Sequence, residues 1–199
     1  AVVLAAIAEQ TSHIRLTSTV TVLSTSDPVK VMEDFATLDV ISDGRAEITV
    51  GRGAYVESFP LFGFSTDNYD ELFDEKLTLL QMANTQSTVT WSGKYRSPLE
   101  HAGIYPRPVN GPLPIWVAVG GTPASVVRAA TRGLPMYLAI LGQPERFVPF
   151  AETYRQIGAE RGNEDRLSLG VTSHFFCAPT SQEARDRFFP YYSRYIGEN

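Results

Sequence analysis

The chain has 199 residues, 43% hydrophobic and 20% charged, with a formal net charge of −5. That length supplies one sizeable core rather than two, and no apolar run approaches the ~18 residues a membrane span needs. The acidic balance argues against a nucleic-acid partner, and the single cysteine, Cys177, excludes an internal disulfide and a cysteine-clustered zinc site. Cys177 itself is expected to be a small core residue at a strand end.

The chain opens on "AVVLAAIAEQTS", without an initiator methionine or a charged leading segment, so it does not describe a signal peptide. Its alanines, valines and isoleucine read as the last turns of a buried helix, as though the chain started in the middle of a unit. "IRLTSTVTVL" (14–23) is rich in β-branched residues and reads as a strand; Asp27 then caps a helix with Pro28 at its first position, and Gly44 stops it. A second strand runs through "DGRAEITVGRGAY" (43–55). An aromatic loop, "YVESFPLFGF", follows as a candidate cavity wall, lid or core cluster, and a helix is expected over roughly 67–84. Residues 89–114, with "YPRPVNGPLP", read as a long surface excursion. "IWVAV" (115–119) is apolar throughout, as a strand buried on both faces would be. Helix, strand, helix, strand and helix follow to the C-terminus.

Five strands, each followed by a helix, imply α/β architecture with a parallel sheet, either doubly wound or a (β/α)8 TIM barrel. Gly51-Arg52-Gly53 begins a dinucleotide fingerprint, but Val56 stands where its third glycine would be and no helix starts there. The barrel is therefore preferred. Five strands do not close one, so residues 1–199 read as a single barrel domain of about five βα units, completed by further chain or by a partner.

Two stretches carry chemistry. In "WVAVGGTPASVVRAATRG", two glycines let a ligand approach the backbone, Thr122 caps a helix with Pro123 at its first position, and Thr122 and Ser125 offer hydroxyls beside unpaired amides. That is an anion site without the lysine of a P-loop. In "VGRGAY", Gly51 and Gly53 flank Arg52, which would reach the same phosphate from a neighbouring strand end if both ends lie on one barrel rim. The competing reading is an ion pair of Arg52 with Glu47 or Glu57. His13, His101 and His174 support no catalytic assignment, the acidic residues read as solvated helix faces, and no metal site is expected.

The order and spacing of these segments resemble the bacterial luciferase-like monooxygenases, flavin-dependent (β/α)8 barrels, along essentially the whole chain. "TVTVLSTSDPVKVMEDFATLDVISDGR" followed by "VGRGAYVESFPLFG" resembles the family's third strand through fourth strand, and "GGTPASVVRAATRGLPM" its phosphate-binding segment. The resemblance implies that Thr19 and Val20 lie behind a flavin ring, in some members through a non-prolyl cis peptide. It implies that Gly51 replaces a reactive cysteine of bacterial luciferase, that Arg52 contacts the FMN phosphate with Ala54 and Tyr55 behind it, and that Val119, Gly121, Thr122 and Ser125 wrap the ribityl chain and phosphate. The family's catalytic histidine falls before Ala1, so no catalytic residue is assigned.

The activity implied is that of a cytoplasmic bacterial flavoprotein, a two-component monooxygenase. Reduced FMN from a separate, transiently bound flavin reductase and oxygen act on a small organic substrate, in a homo-oligomer with no nucleic-acid or membrane partner. Two alternatives stand beside it: a deazaflavin-dependent reductase or dehydrogenase on the same fold, and a non-catalytic flavin-binding protein.

Overall fold

A computed structural model describes residues 1–53 and 56–198. Along the chain the elements are α1 (Val2–Gln10), β1 (Thr21–Val22), α2 (Pro28–Ile41), β2 (Ile48–Gly51), α3 (Ser58–Leu61), α4 (Tyr69–Thr85), β3 (Thr88–Trp91) and β4 (Leu99–Gly103). Then come β5 (Ile115–Val119), α5 (Pro123–Arg132), β6 (Met136–Ala139), α6 (Val148–Glu160), β7 (Leu169–Thr172) and α7 (Ser181–Glu198). Five strands form one sheet in the order β1-β2-β5-β6-β7, every neighbouring pair parallel. Parallel neighbours require a crossover, and helices supply each one. All five C-terminal strand ends consequently share one edge of the sheet.

Alternation within the strands sets the layers. Ile48 and Val50 of β2, Ile115, Val117 and Val119 of β5, and Met136 and Leu138 of β6 join one apolar core with Met32, Phe35, Phe73, Leu77, Val126 and Ala129 from the helices. The opposite face is only half covered. There Trp116 stacks on Tyr137 at 4.3 Å, and the Trp116 indole donates to Glu47 Oε2 at 2.7 Å. Gly170 leaves room for that ring, since a Cβ there would come within 2.1 Å of Tyr137. β5 is therefore buried on one face, not on both as its composition suggested; Trp116 and Ala118 occupy the half-covered side.

Local rules fix the helix ends. Asp27 Oδ1 accepts from the Val29 amide at 2.8 Å, capping α2 behind Pro28. Gly44, at φ +82°, lets the chain turn back after that helix. Asp39, buried in α2, accepts from the Ala46 amide at 3.1 Å and the Val109 amide at 2.8 Å, tying two connections to the helix.

Several expectations are corrected. The strand over 14–23 is split into a bridge between Leu16 and Ala46 and the pair Thr21–Val22, with the Thr19–Val20 peptide cis between them. The surface excursion contains an antiparallel hairpin, β3 with β4. α1 buries only Ala8, leaving Val2 and Val3 exposed, because one face alone meets α2 and the Arg45 side chain that donates to Ala8 O and Thr11 O. β7 ends at Thr172, before His174 and Cys177, so Cys177 is exposed rather than in the core. The aromatic loop divides: Phe59 is fully buried, whereas Leu61 and Phe62 are exposed.

Candidate functional site

β2 leaves the sheet at Gly51, and the glycine there is required by the residue that precedes β1. A Cβ on Gly51 would approach Val20 Cγ2 to 2.9 Å. Val20 therefore lies directly against the end of β2, which brings the turn before β1 and the end of β2 onto one surface. Arg52 follows, with its guanidinium 4.6 Å from the centroid of the Tyr69 ring. The Tyr69 hydroxyl donates to Gly53 O at 2.8 Å, fixing the chain on both sides of the arginine. Burial pushes the Tyr69 phenol above its ordinary range against the pull of Arg52.

The second wall is the β5–α5 connection. Gly121 adopts φ +138°, a conformation favouring glycine, and a Cβ at Gly120 or Gly121 would meet nothing within 4 Å. The backbone is thus bare toward open space. Thr122 is the N-cap residue of α5, but its hydroxyl makes no capping bond; its carbonyl instead accepts from the Ser125 amide at 3.0 Å. That corrects the expected hydroxyl cap. Ser125 is buried, and Arg128, one turn further along α5, lies with Nη1 3.5 Å from its hydroxyl.

These walls enclose a cavity of about 330 Å³ at the C-terminal ends of the strands, lined by Val20, Gly51, Arg52, Gly120, Thr122 and Ser125 among others. Ala118 and Ala139 reach it from the half-covered face of the sheet, where short side chains keep it open. Of the residues expected from sequence, Val20, Gly51, Arg52, Thr122 and Ser125 meet here. Gly121 lines an adjoining cavity of about 260 Å³ that shares Gly120 and Ala139 with the first. Val119 points into the core and contributes no side chain, and Thr19 is exposed beside the rim. Ala54 and Tyr55 lie outside the described residues.

Arg52 pairs with neither Glu47 nor Glu57. Its Nη1 donates to Asp70 Oδ1 at 2.6 Å. Asp70 also accepts from Arg128 Nη2 at 3.0 Å, and Asp74 accepts from Arg128 Nε at 2.7 Å. Burial works against the charge on Arg128, yet the carboxylates of Asp74 and Asp70 hold its pKa above the ordinary value. The reading of all acidic residues as solvated faces fails for the buried Glu47 and Asp39, whereas Asp70 and Asp74 are solvent-facing and also ion-paired. Helical spacing was the available signal: Asp70 and Asp74 lie four apart on α4, and Ser125 and Arg128 three apart on α5, so each pair shares a face. His174 stands elsewhere, with Tyr192 and Tyr195 edge-on at 5.2 and 5.5 Å. Among the described residues no group of three His, Cys, Asp or Glu side chains could hold a metal ion, and no helix is long and apolar enough to cross a membrane.

The model of one family, luciferase-like monooxygenase, matches residues 1–198. The chain belongs to that family. It is 28% identical over 188 residues to the alkanal monooxygenase alpha chain of Photorhabdus laumondii, covering 88% of this chain and 50% of that protein. It is 31% identical over 120 residues to the F420-dependent glucose-6-phosphate dehydrogenase of Amycolatopsis mediterranei, covering 58% of this chain and 35% of that one. Among solved structures it is similar to the monooxygenase RslO1 from Streptomyces bottropensis, with a TM-score of 0.84 and 25% identity over 98% of this chain and 61% of the other. The chain thus spans between about a third and a half of these curated relatives, 35% and 50%.

As a luciferase-like chain, it presents its cavity where TIM-barrel enzymes build their sites, at the C-terminal strand ends. The residues fit a phosphate-ended flavin. Arg52 is fixed in position with its side chain only 12% exposed, Ser125 offers a buried hydroxyl, and the space before Gly120 is one that any Cβ would enter. Aligned amides at the start of α5 add partial positive charge.

Proposed function

We propose that the intact protein is a flavin- or deazaflavin-dependent oxidoreductase. Within that class, we read it as a two-component monooxygenase that takes reduced FMN from a separate reductase and oxygenates a small organic substrate. The observation that carries the reading is the meeting of Val20, Gly51, Arg52, Thr122 and Ser125 around one cavity. The family match and the similarity to an alkanal monooxygenase support the choice of reaction.

A bound flavin would supply the redox chemistry, and the chain supplies anchoring and shape. Arg52, the Ser125 hydroxyl and the first-turn amides of α5 would hold the phosphate. Val20 packed on the side-chain-free Gly51 makes an apolar surface for the ring, and Ala118 and Ala139 keep polar groups out of the adjacent space. A cytoplasmic homo-oligomer with residues 1–199 as part of one barrel domain is the corresponding organisation.

The similarity to an F420-dependent dehydrogenase favours a second reading, hydride transfer to or from a deazaflavin on the same scaffold. Oxygen-uptake and product analysis on the intact protein separates the two. With FMN kept reduced by an added reductase, the first reading predicts substrate-dependent incorporation of labelled oxygen. Deazaflavin oxidation or reduction without oxygen uptake would contradict it and support the second; FMN binding with neither reaction would contradict both.

A further inference from the structure

The two carboxylates that α4 sets against Arg52, which lines the cavity, and Arg128 behind it have different attachments. Asp74 is committed to α5: Arg128 Nε lies 2.7 Å from Oδ1, Arg128 Nη2 3.1 Å from Oδ2, and Arg132 Nη2 3.3 Å from Oδ1. Asp70 instead places a single oxygen between arginines from two different elements, 2.6 Å from Arg52 Nη1 and 3.0 Å from Arg128 Nη2. The side chains of Arg52 and Arg128 are 12% and 7% exposed, whereas that of Asp70 is 60% exposed. The cations are therefore held by the fold, and the anion facing solvent is the partner an incoming ligand would meet.

We infer that Asp70 is an internal counter-ion that competes with the ligand's phosphate for Arg52 and Arg128, and so favours a phosphate carrying one negative charge over one carrying two. The inference rests on the phosphate reading above. Asp70 belongs to the first turn of α4, so its backbone stays beside Arg52 whatever its side chain does. A phosphate seated on Arg52 consequently lies near a carboxylate, and the repulsion grows with the phosphate's charge. A phosphate monoester carries nearly two negative charges above its second pKa of about 6, and a diester carries one. The effect loosens FMN relative to what two unopposed arginines would give. That suits a cofactor that must be exchanged with another protein.

The test replaces Asp70 by Asn, which keeps an oxygen acceptor for Arg52, and by Ser as a second neutral variant. Binding to the intact protein is measured by flavin fluorescence at pH 8 for three probes: FMN, its phosphate methyl ester and riboflavin, which share one ring system. Asp70→Asn is expected to tighten FMN about tenfold, the methyl ester by less, and riboflavin by under about twofold. Unchanged or weaker FMN binding in both variants overturns the inference, as does equal tightening of FMN and the methyl ester. Arg52→Met, measured alongside, isolates the underlying reading. Selective loss of FMN over riboflavin there, with no gain in the Asp70 variants, removes the role of Asp70 alone; equal loss of both ligands removes the phosphate reading and the inference together.

Discussion

Lys76 carries its ammonium into the interior of the protein beside the rim of the sheet. The residue is 2% exposed, its Nζ donates to Ser24 O at 2.6 Å, and the Phe64 ring centroid lies 3.9 Å away. Burial lowers its pKa from 10.5 to about 8, against the opposing pull of Asp27 and Glu75. The sign of the linkage follows from the proton count. Below about pH 8 both states hold the proton and the native state bears the desolvation cost; between about 8 and 10.5 the unfolded chain holds a proton that the native state has released. Stability conferred through Lys76 therefore rises with pH in that window. Compared with Lys76→Met by chemical denaturation, the wild type should gain roughly 2 kcal/mol relative to the variant between about pH 7 and 9.5. Parallel pH profiles for the two proteins would show that the ammonium is solvated in the native state.

At the scale of elements, the end of β2 packs closely against Val20, just before β1, beside the candidate site. A Cβ on Gly51 would lie 2.9 Å from Val20 Cγ2 and 3.2 Å from Val20 Cβ. Gly51→Ala should therefore destabilise the protein by about 1–3 kcal/mol through overpacking. Adding Val20→Ala should recover part of that loss, so the double-mutant cycle is strongly non-additive. Additive losses in thermal or denaturant unfolding would mean that the two residues do not press on one another. The glycine at this strand end was visible in sequence, but its reason was not: Gly51 and Val20 are far apart along the chain, and only the ladder brings them together. Strand and helix order was legible because β-branched runs, Asp27 with Pro28, and the glycines at 44 and 133 are local signals. The hairpin of β3 and β4 was hidden within a proline-rich stretch, and its pairing joins residues as far apart as Thr88 and Gly103. Cys177 was misplaced for a related reason. The apolar run "HFFC" continues past the point where the β6–β7 ladder ends at Ala139 and Thr172.

For the whole molecule, the parallel order of the sheet is what turns separate motifs into one site. Once β2 and β5 run side by side in the same direction, Arg52 and Ser125 meet at a single edge, and Val20, packed on Gly51, joins them there. The sequence supported that convergence through its strand and helix alternation, and so most of the cavity wall was foreseeable. The carboxylates were legible only in part: their spacing puts Asp70 and Asp74 on one face of α4, but nothing local indicates that this face meets Arg52 and Arg128. Val119 sends its side chain into the core, so only its backbone is available to the neighbouring space. The central claim is that Arg52 anchors a phosphate while the flavin ring rests elsewhere in the same cavity. Its most direct measurement is fluorescence titration of the intact wild type and Arg52→Met with FMN and with riboflavin. A charge-assisted contact is worth roughly 1.5–3 kcal/mol, so the variant should bind FMN about tenfold or more weakly while riboflavin changes by less than about twofold. Equal weakening of both ligands would contradict the claim and assign Arg52 to the ring pocket or to the fold.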